Sequence, residues 1–245
     1  MEMPYQKYAR IFMNLTAKDI IVKPISSQDA NKIVKRVHYS GKVVQNSILH
    51  LGVFLDNKLH GAMQFGNPID KRKVLPLVKD TKWNNMLELN RMAFNDILPR
   101  NSESRALGVA FRLIKKNYPH IEWILSFSDG TQCGDGTIYR ASGFVLTGIN
   151  KNQTIHELPT GEIVAKHGTS KRDFTGSKRL QGYQLRYIYF LNPKAKERLT
   201  VPIIPFSKIY EIGAGMYKGL RVPNSRVSDD QLEKDGANPI HSLHK

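Results

Sequence analysis

The chain has 245 residues, 40% of them hydrophobic and 24% charged, a composition typical of a globular protein and not of a disordered one. Its 37 lysines and arginines outnumber 21 acidic residues and give a net charge of +16. That excess favours a polyanionic partner such as nucleic acid over a basic surface kept only for solubility. Cys133 is the one cysteine, which excludes an internal disulfide and a multi-cysteine zinc site.

The N-terminal residues, Met1 to Leu15, lack the hydrophobic region of a signal peptide. No apolar run approaches the roughly 20 residues that span a bilayer. Together with the single cysteine, these features predict a cytoplasmic protein that does not enter membranes.

Hydrophobic periodicity and turn residues predict an alternation of strands and helices. The predicted elements are, in chain order, a strand over 20–25, a helix from Ser26 that ends at 38–41, a hairpin of strands 49–55 and 59–65 around Asp56-Asn57-Lys58, a basic irregular connection over 69–85, a strand over 87–94, a helix over 104–117, a strand over 121–127, a helix over 137–142, a strand over 144–147, a hairpin over 154–167, and a strand over 182–191.

This order predicts an α/β fold with a mixed, mainly antiparallel sheet flanked by helices, the layout of the GNAT acetyltransferases, followed by a β-rich basic C-terminal extension. Residues 166–221 hold twelve lysines and arginines against three acids, so the positive charge is concentrated there. We expect one domain over residues 1–222, with its core at about 18–191, and a polar, mobile tail over 223–245.

Three polar clusters fall at the ends of predicted elements, where ligands of open α/β sheets gather. They are His38-Tyr39-Ser40-Gly41, Asn101-Ser102-Glu103-Ser104 and Ser128-Asp129-Gly130. Each has a plain structural alternative: a helix-terminal histidine, a helix cap and a turn. Considered together, they offer a base or metal ligand in His38, a stacking ring in Tyr39 and a proton acceptor or metal ligand in Asp129.

A series of motifs occurs in order from about Ile33 to Leu191. The motifs are His38-Tyr39-Ser40, Leu51-Gly52-Val53-Phe54, Gly66-Asn67-Pro68, Glu88-Leu89-Asn90-Arg91, Leu98-Pro99-Arg100-Asn101-Ser102-Glu103-Ser104, Ser126-Phe127-Ser128-Asp129-Gly130, Ile138-Tyr139-Arg140-Ala141-Ser142-Gly143-Phe144 and Arg186-Tyr187-Ile188-Tyr189-Phe190-Leu191. In these motifs the chain resembles the Mom family of phage DNA-modification proteins.

The resemblance implies an acetyltransferase-like fold and conversion of adenine in DNA to an N6-carbamoylmethyl base, which blocks host restriction enzymes. It implies catalytic roles for His38, Tyr39, Ser104 and Asp129. The donor of the added group stays open between an acetyl-CoA-like molecule and another acyl or glycyl donor. The resemblance also implies iron as a candidate cofactor, for which His38 and Asp129 are the candidate ligands.

Acetyltransferases cradle the CoA pyrophosphate in a glycine-rich loop, and the corresponding loop here has no glycine, which counts against CoA. We expect the donor to contact Arg100, Asn101 and Ser102 in that loop.

A base modified at its exocyclic amine must leave the duplex and enter a pocket. Pocket candidates are Tyr39, Phe65, Asn90, Arg91, Tyr139 and Phe144, with core packing as the alternative, above all for Phe65 and Phe144. Contacts to the phosphates of double-stranded DNA are expected from Lys171, Arg172, Lys178 and Arg179, with a solvated loop as the alternative.

Two other functions stay open on the sequence alone. One is an acetyl-CoA-dependent N-acetyltransferase that acts on a small amine or a protein. The other is a DNA-binding protein without catalytic activity, for which substitution of Asp129 changes no activity.

Overall fold

The computed structural model describes residues 15–129, 134–152, 154–166, 172–180, 182–214, 216–217 and 220–221. The tail predicted over 223–245 lies outside these residues, as do Gly130, Cys133 and Lys171. The described residues form two compact units. The first comprises those up to Leu125 together with Phe190–Thr200, and the second comprises Ser126–Tyr189 and those from Val201 onward. The single-domain prediction stays a prediction.

Twelve strands and six α-helices are formed by the described residues. The strands are β1 (Ile21–Pro24), β2 (Ser47–Leu55), β3 (Lys58–Gly66), β4 (Met86–Phe94), β5 (Trp123–Asp129), β6 (Val145–Asn152), β7 (Ile155–Glu157), β8 (Ile163–Ala165), β9 (Lys178–Arg179), β10 (Gly182–Phe190), β11 (Met216–Tyr217) and β12 (Leu220–Arg221). The helices are α1 (Ser27–Val37), α2 (Lys71–Val74), α3 (Ser102–Asn117), α4 (Thr137–Ala141), α5 (Pro193–Glu197) and α6 (Ser207–Glu211), with 3-10 helices at Ala17–Asp19 and Leu75–Leu77.

In the first unit, the strands lie in the order β1-β2-β3-β4-β5. The pairs from β1 to β4 are antiparallel, and the first three residues of β5 pair with β4 in parallel. The tight turn between β2 and β3 places Asp56 and Asn57 at φ 48° and 60°, as the hairpin prediction requires. The predicted mixed, mainly antiparallel sheet with helices is confirmed.

Helix α1 covers one face of this sheet. The Ser26 hydroxyl accepts a hydrogen bond from the Asp29 amide at 3.0 Å, which caps the helix as predicted. Its apolar face buries Ala30, Ile33 and Val34 against small strand residues, Ala62 and Ala93. Because these strand residues are small, the helix approaches the sheet closely. The polar segment that follows Val37 contacts the same face of the sheet, where Arg91 of β4 donates to the Lys42 carbonyl.

The second unit is mainly antiparallel β structure, which confirms the β-rich extension. Strands β10 and β6 pair antiparallel, β7 is flanked by β8 and β9 in a three-stranded sheet, and β11 pairs with β12. Strand β6 was predicted to end at Thr147 but continues to Asn152, because β10 provides hydrogen-bond partners along its whole length. No helix in the described ranges is long and apolar enough to cross a membrane.

The predicted cap of α3 is wrong. The helix begins at Ser102 instead of Ser104, after Asn101 in a left-handed conformation (φ 68°), and it has no side-chain cap. The Ser102 hydroxyl donates to the Pro99 carbonyl at 2.6 Å, and the Ser104 hydroxyl donates to the Asn101 carbonyl at 3.1 Å. Both serines therefore bond to carbonyls of the preceding turn, and no side chain caps the start of the helix.

Candidate active site

A β-bulge in β4 brings three polar side chains onto one face of the first unit's sheet. Glu88 lies opposite Gly66, and Arg91 lies opposite Gln64, so Asn90 is the extra residue between them. Gly66 and Gln64 are two residues apart and share a face of β3, so their partners Glu88 and Arg91 share it too. Strict alternation would have placed Arg91 on the opposite face.

Asn90 is buried and holds the bulge in place. Its Oδ1 accepts a hydrogen bond from the Ser47 hydroxyl at 3.0 Å, and its Nδ2 donates to the Asn67 carbonyl at 3.4 Å. A side chain at Gly66 would collide with the Asn90 amide and with the backbone of Asn46. The glycine therefore makes room for the asparagine, and one polar group links β2, β3 and β4.

Arg91 is half-buried and fixed by backbone carbonyls. Its Nε donates to the Lys42 carbonyl at 3.0 Å, and its Nη1 donates to the Asn90 carbonyl at 2.7 Å. Burial lowers the pKa of its guanidinium, while Tyr39 and Glu88 act in the opposite direction. Arginine stays protonated despite this shift, so a fixed positive charge lies beside the other members of the cluster.

Glu88 is the most perturbed acid of this face. Desolvation by burial raises the pKa of its carboxyl to about 7, although the hydrogen bond with Asn90 and the charge of Arg91 lower it. A carboxyl with this pKa exchanges a proton near neutral pH, as a general base or general acid requires. We refer to Glu88, Asn90, Arg91 and His38 as the β4 cluster.

His38 directly follows α1. Its Nδ1 lies 2.9 Å from the Ser40 hydroxyl and accepts a hydrogen bond from the Ser40 amide at 3.2 Å. Burial, assisted by the charge of Arg91, lowers the pKa of His38 to about 4. The imidazole is therefore neutral, and because Nδ1 accepts, Nε2 carries the proton. His38 fits a hydrogen-bond donor better than the base that its sequence position indicates.

Tyr39 presents an exposed ring beside His38. The ring centroids are 4.3 Å apart at an interplanar angle of 31°, and Tyr39 is 54% exposed. Arg91 interacts electrostatically with both His38 and Tyr39, which places it near this pair. An exposed aromatic ring in this position suits a planar heterocycle.

The remaining candidates of the first unit lie at the start of α3. Arg100 and Asn101 are exposed, Ser102 is fully buried, and Ser104 is half-buried. The buried hydroxyl of Ser102 already donates to Pro99, so Arg100 and Asn101 are the better placed of the three for a donor molecule. The roles of all four residues stay predictions.

In the second unit, Asp129 is the last residue of β5, at a strand end as expected. The ring of Tyr139 packs in α4 at 5.2 Å from that of Phe144 and 5.1 Å from that of Tyr187. For Phe144, as for Phe65 in the first unit, the core-packing alternative is confirmed, since they are 2% and 0% exposed.

Of the predicted phosphate contacts, Lys178 and Arg179 are exposed on β9. Arg172 forms an exposed ion pair with Glu162 at 2.6 Å. Lys171 lies outside the described residues, and the DNA contacts stay predictions.

A second buried polar cluster lies within the second unit, and we call it the Asp135 network. Asp135 Oδ1 accepts hydrogen bonds from the amide of Thr137 at 3.0 Å and from its hydroxyl at 2.7 Å. Oδ2 accepts from the Tyr210 hydroxyl at 2.6 Å, and the Asp135 carbonyl accepts from Tyr187. Burial and Asp135 raise the pKa of both phenols, so they stay protonated donors.

No group of three or more His, Cys, Asp or Glu side chains that could hold a metal ion occurs among the residues that the structure describes. Nδ1 of His38 is already engaged by Ser40. His38 and Asp129 alone are fewer than the three protein ligands of a typical non-haem iron site and do not fit one.

Comparison with known proteins identifies the family. The sequence profile of the Mom protein family matches residues 19–208. The chain belongs to the Mom family. It is 35% identical over 200 residues to the methylcarbamoylase Mom of Escherichia phage Mu, an alignment that covers 76% of this chain and 82% of that protein.

Solved acetyltransferase-type structures are weakly similar to this Mom-family chain. FeeM, an N-acyl amino acid synthase from uncultured soil microbes, is 14% identical with a TM-score of 0.46, over 74% of this chain and 95% of its own. The spermidine/spermine N-acetyltransferase SpeG from Vibrio cholerae is 9% identical with a TM-score of 0.44, over 74% and 98%.

Glu88 is the site residue that the sequence reasoning missed. Its motif was noticed, and Asn90 and Arg91 were assigned to the base pocket, but the acid was given no role. The available signal was one carboxyl in the otherwise apolar run Met86-Leu87-Glu88-Leu89 of a central strand, since an acid in such a position is rarely buried without a function.

Proposed function

We propose that this Mom-family protein is a transferase that adds a carbamoylmethyl-type group to N6 of adenine in double-stranded DNA, in the cytoplasm of the cell that makes it, and so protects that DNA from restriction. The name of its phage Mu relative and the net charge of +16 support this reaction and this partner. The observation that carries the proposal is the β4 cluster, in which Arg91 interacts both with a carboxyl of pKa about 7 and with the exposed Tyr39.

Glu88 is the general base of this proposal. The lone pair of the adenine N6 amine is delocalised into the ring, so the amine is a poor nucleophile until it loses a proton. As the bond from N6 to the donor carbon forms, the bond between that carbon and the rest of the donor breaks. The rest of the donor leaves with that electron pair, and one N6 proton passes to the Glu88 carboxylate. A pKa of about 7 leaves roughly half of the carboxyls ionised at neutral pH and makes them basic enough to accept that proton.

The neighbours of Glu88 position the base. Tyr39 offers its ring face for stacking, and the His38 Nε2–H donates to an acceptor on the adenine edge. Arg91 keeps a fixed positive charge near the carboxylate and favours its ionised form, while Asn90 holds the bulge that aligns both side chains.

The start of α3 and the family resemblance support the remaining assignments. The exposed Arg100 and the start of α3, which no side chain caps, suit an anionic group of the donor. Ser104 and Asp129 are proposed catalytic residues on the family resemblance, and the ring of Tyr139 is proposed to contact the flipped base. Lys178 and Arg179, together with Lys171 and Arg172, are proposed to contact DNA phosphates.

Nucleosides digested from the DNA of cells that express the protein test the proposal. Mass spectrometry should detect a deoxyadenosine that is heavier by the carbamoylmethyl group. Glu88→Gln should reduce its yield at least ~100-fold, because the amide cannot accept the proton.

Glu197→Gln is the matched control, since Glu197 is exposed in the short helix α5. It should leave the yield unchanged. A full yield in Glu88→Gln would remove Glu88 from the mechanism, and unmodified DNA with the unaltered protein would overturn the proposed function.

A further inference from the structure

One end of the first unit's sheet carries several exposed apolar side chains. At this end β2 begins, β3 ends and β4 begins, as the antiparallel registers show. Four of the nine large hydrophobic side chains exposed among the described residues belong to the segments at this end of the strands. They are Tyr39 (54% exposed), Ile48 (66%), Ile69 (98%) and Trp83 (57%).

Ile69 is the most exposed of them, and it stands on an anchored loop. On one side, the Asn67 amide donates to the Asn46 carbonyl at 3.0 Å, and the Asn67 carbonyl accepts from the side chain of Asn46. On the other side, the buried Lys71 donates to the Asn67 side chain at 2.8 Å and lies 5.0 Å from the centroid of the Trp83 ring. Pro68 restricts the residue before it further. Ile69 is therefore 98% exposed on a loop that hydrogen bonds hold in place on both sides.

This loop is tied to the β4 cluster. The carbonyl of Asn67 also accepts a hydrogen bond from the Asn90 side chain at 3.4 Å, and Asn90 is the bulge residue between Glu88 and Arg91. Only Pro68 separates Asn67 from Ile69. The hydrogen bonds of Asn90 therefore link the loop that carries Ile69 to Glu88, the proposed catalytic base.

The charges next to Ile69 select the partner. Arg72 and Lys73 follow it with side chains that are 87% and 84% exposed. Their contacts with Asp70, at 3.9 Å and 3.5 Å, are exposed ion pairs and weak. An apolar tip flanked by cations complements a DNA duplex, in which stacked bases are flanked by phosphates.

We propose that Ile69 is a wedge that enters the base stack of double-stranded DNA and fills the space of the adenine that turns out toward the β4 cluster, while Arg72 and Lys73 hold the flanking phosphates. The inference rests on the proposed function, because a wedge is needed where a base leaves the stack. Isoleucine belongs to the apolar side chains that proteins insert between base steps.

The test compares the binding of the purified full chain to two short duplexes, one perfectly paired and one with a single abasic nucleotide. The abasic duplex already offers the gap, so the protein should bind it about tenfold more tightly, in keeping with the unstacking energy saved. Ile69→Ala should reduce this preference to less than about twofold, and Ile69→Leu should keep it.

Ile21→Ala is the matched control, since Ile21 is an exposed isoleucine (54%) on the edge strand β1. It should retain the full preference for the abasic duplex. The absence of a preference in the unaltered protein, or its retention in Ile69→Ala, would overturn the wedge. If Ile69→Ala instead loses only binding to vesicles of anionic phospholipid, the tip belongs to a lipid surface.

The wedge and the proposed function can fail separately. An abasic preference that depends on Ile69, found together with unmodified adenine in cells, would support the wedge and remove the reaction. Modified adenine at full yield in Ile69→Ala, with no change in duplex preference, would support the reaction and remove the wedge.

Discussion

The Asp135 network and the β4 cluster differ in how well the protein accommodates their charges. In the Asp135 network, three donors satisfy the carboxylate, and the phenols around it stay protonated. In the β4 cluster, burial shifts the pKa values of Glu88, His38 and Arg91 each toward the neutral form. A satisfied network stabilises a fold, whereas a strained group of charges costs stability and is typical of a site that does chemistry.

The largest effect is expected when the satisfied network is broken. Asp135→Ala removes the acceptor of three hydrogen bonds and leaves the buried Tyr210 hydroxyl without the carboxylate to which it donates. We expect the free energy of unfolding to fall by about 3 kcal/mol, measured by urea denaturation. A loss below about 1 kcal/mol would mean that the network contributes little to the fold.

Removing the Glu88 carboxyl of the β4 cluster is expected to raise the free energy of unfolding, whereas removing that of Asp135 lowers it. The carboxyl of Glu88 has a pKa of about 7 in the folded protein, against 4.5 for the free group. The unfolded chain therefore releases this proton at a lower pH than the folded protein does. Glu88 for this reason lowers the free energy of unfolding, by an amount that grows as the pH rises from about 4.5 through 7.

Glu88→Gln removes this loss. The variant should be more stable than the unaltered protein at pH 8 by on the order of 1–2 kcal/mol, and nearly equal to it at pH 4. Thermal unfolding at the two pH values measures the difference. A variant that is less stable at pH 8 would show that Glu88 has a structural role, and the contrast between the clusters would disappear.

The smallest effect on stability is expected when a single donor is removed from the Asp135 network. Tyr210→Phe deletes one of the three donors to the Asp135 carboxylate and should cost about 1 kcal/mol of stability. Adenine modification in cells grown well below the unfolding temperature should not change. A large loss of modification without a loss of stability would move the Asp135 network from the fold to the chemistry.

Local patterns in the sequence were sufficient for most of the elements. The periodicity of Ala30, Ile33 and Val34 indicated α1, and Asp56-Asn57 indicated the turn of the first hairpin. Both depend on neighbours within a few residues, so the chain near them contains the required information.

The features that the sequence did not reveal depend on contacts between distant residues. Asp135 meets Tyr187 and Tyr210, which follow it by 52 and 75 residues. The bulge at Asn90 depends on Ser47 and Asn67, which belong to other strands and loops. The predicted cap of α3 is wrong for a different, local reason, because Ser102 and Ser104 can donate to carbonyls as readily as they accept from amides.

The extra residue in β4 shifts the alternation of side chains between the two faces of the sheet by one position. Up to Asn90 the strand keeps one alternation, and from Arg91 onward it keeps the other, so Glu88 and Arg91 lie on the same face although they are three residues apart. Deleting one residue there would leave the composition almost intact but turn the arginine toward the opposite face. Anyone who transplants this site into another scaffold must therefore copy the nine-residue count of β4 as faithfully as its side chains.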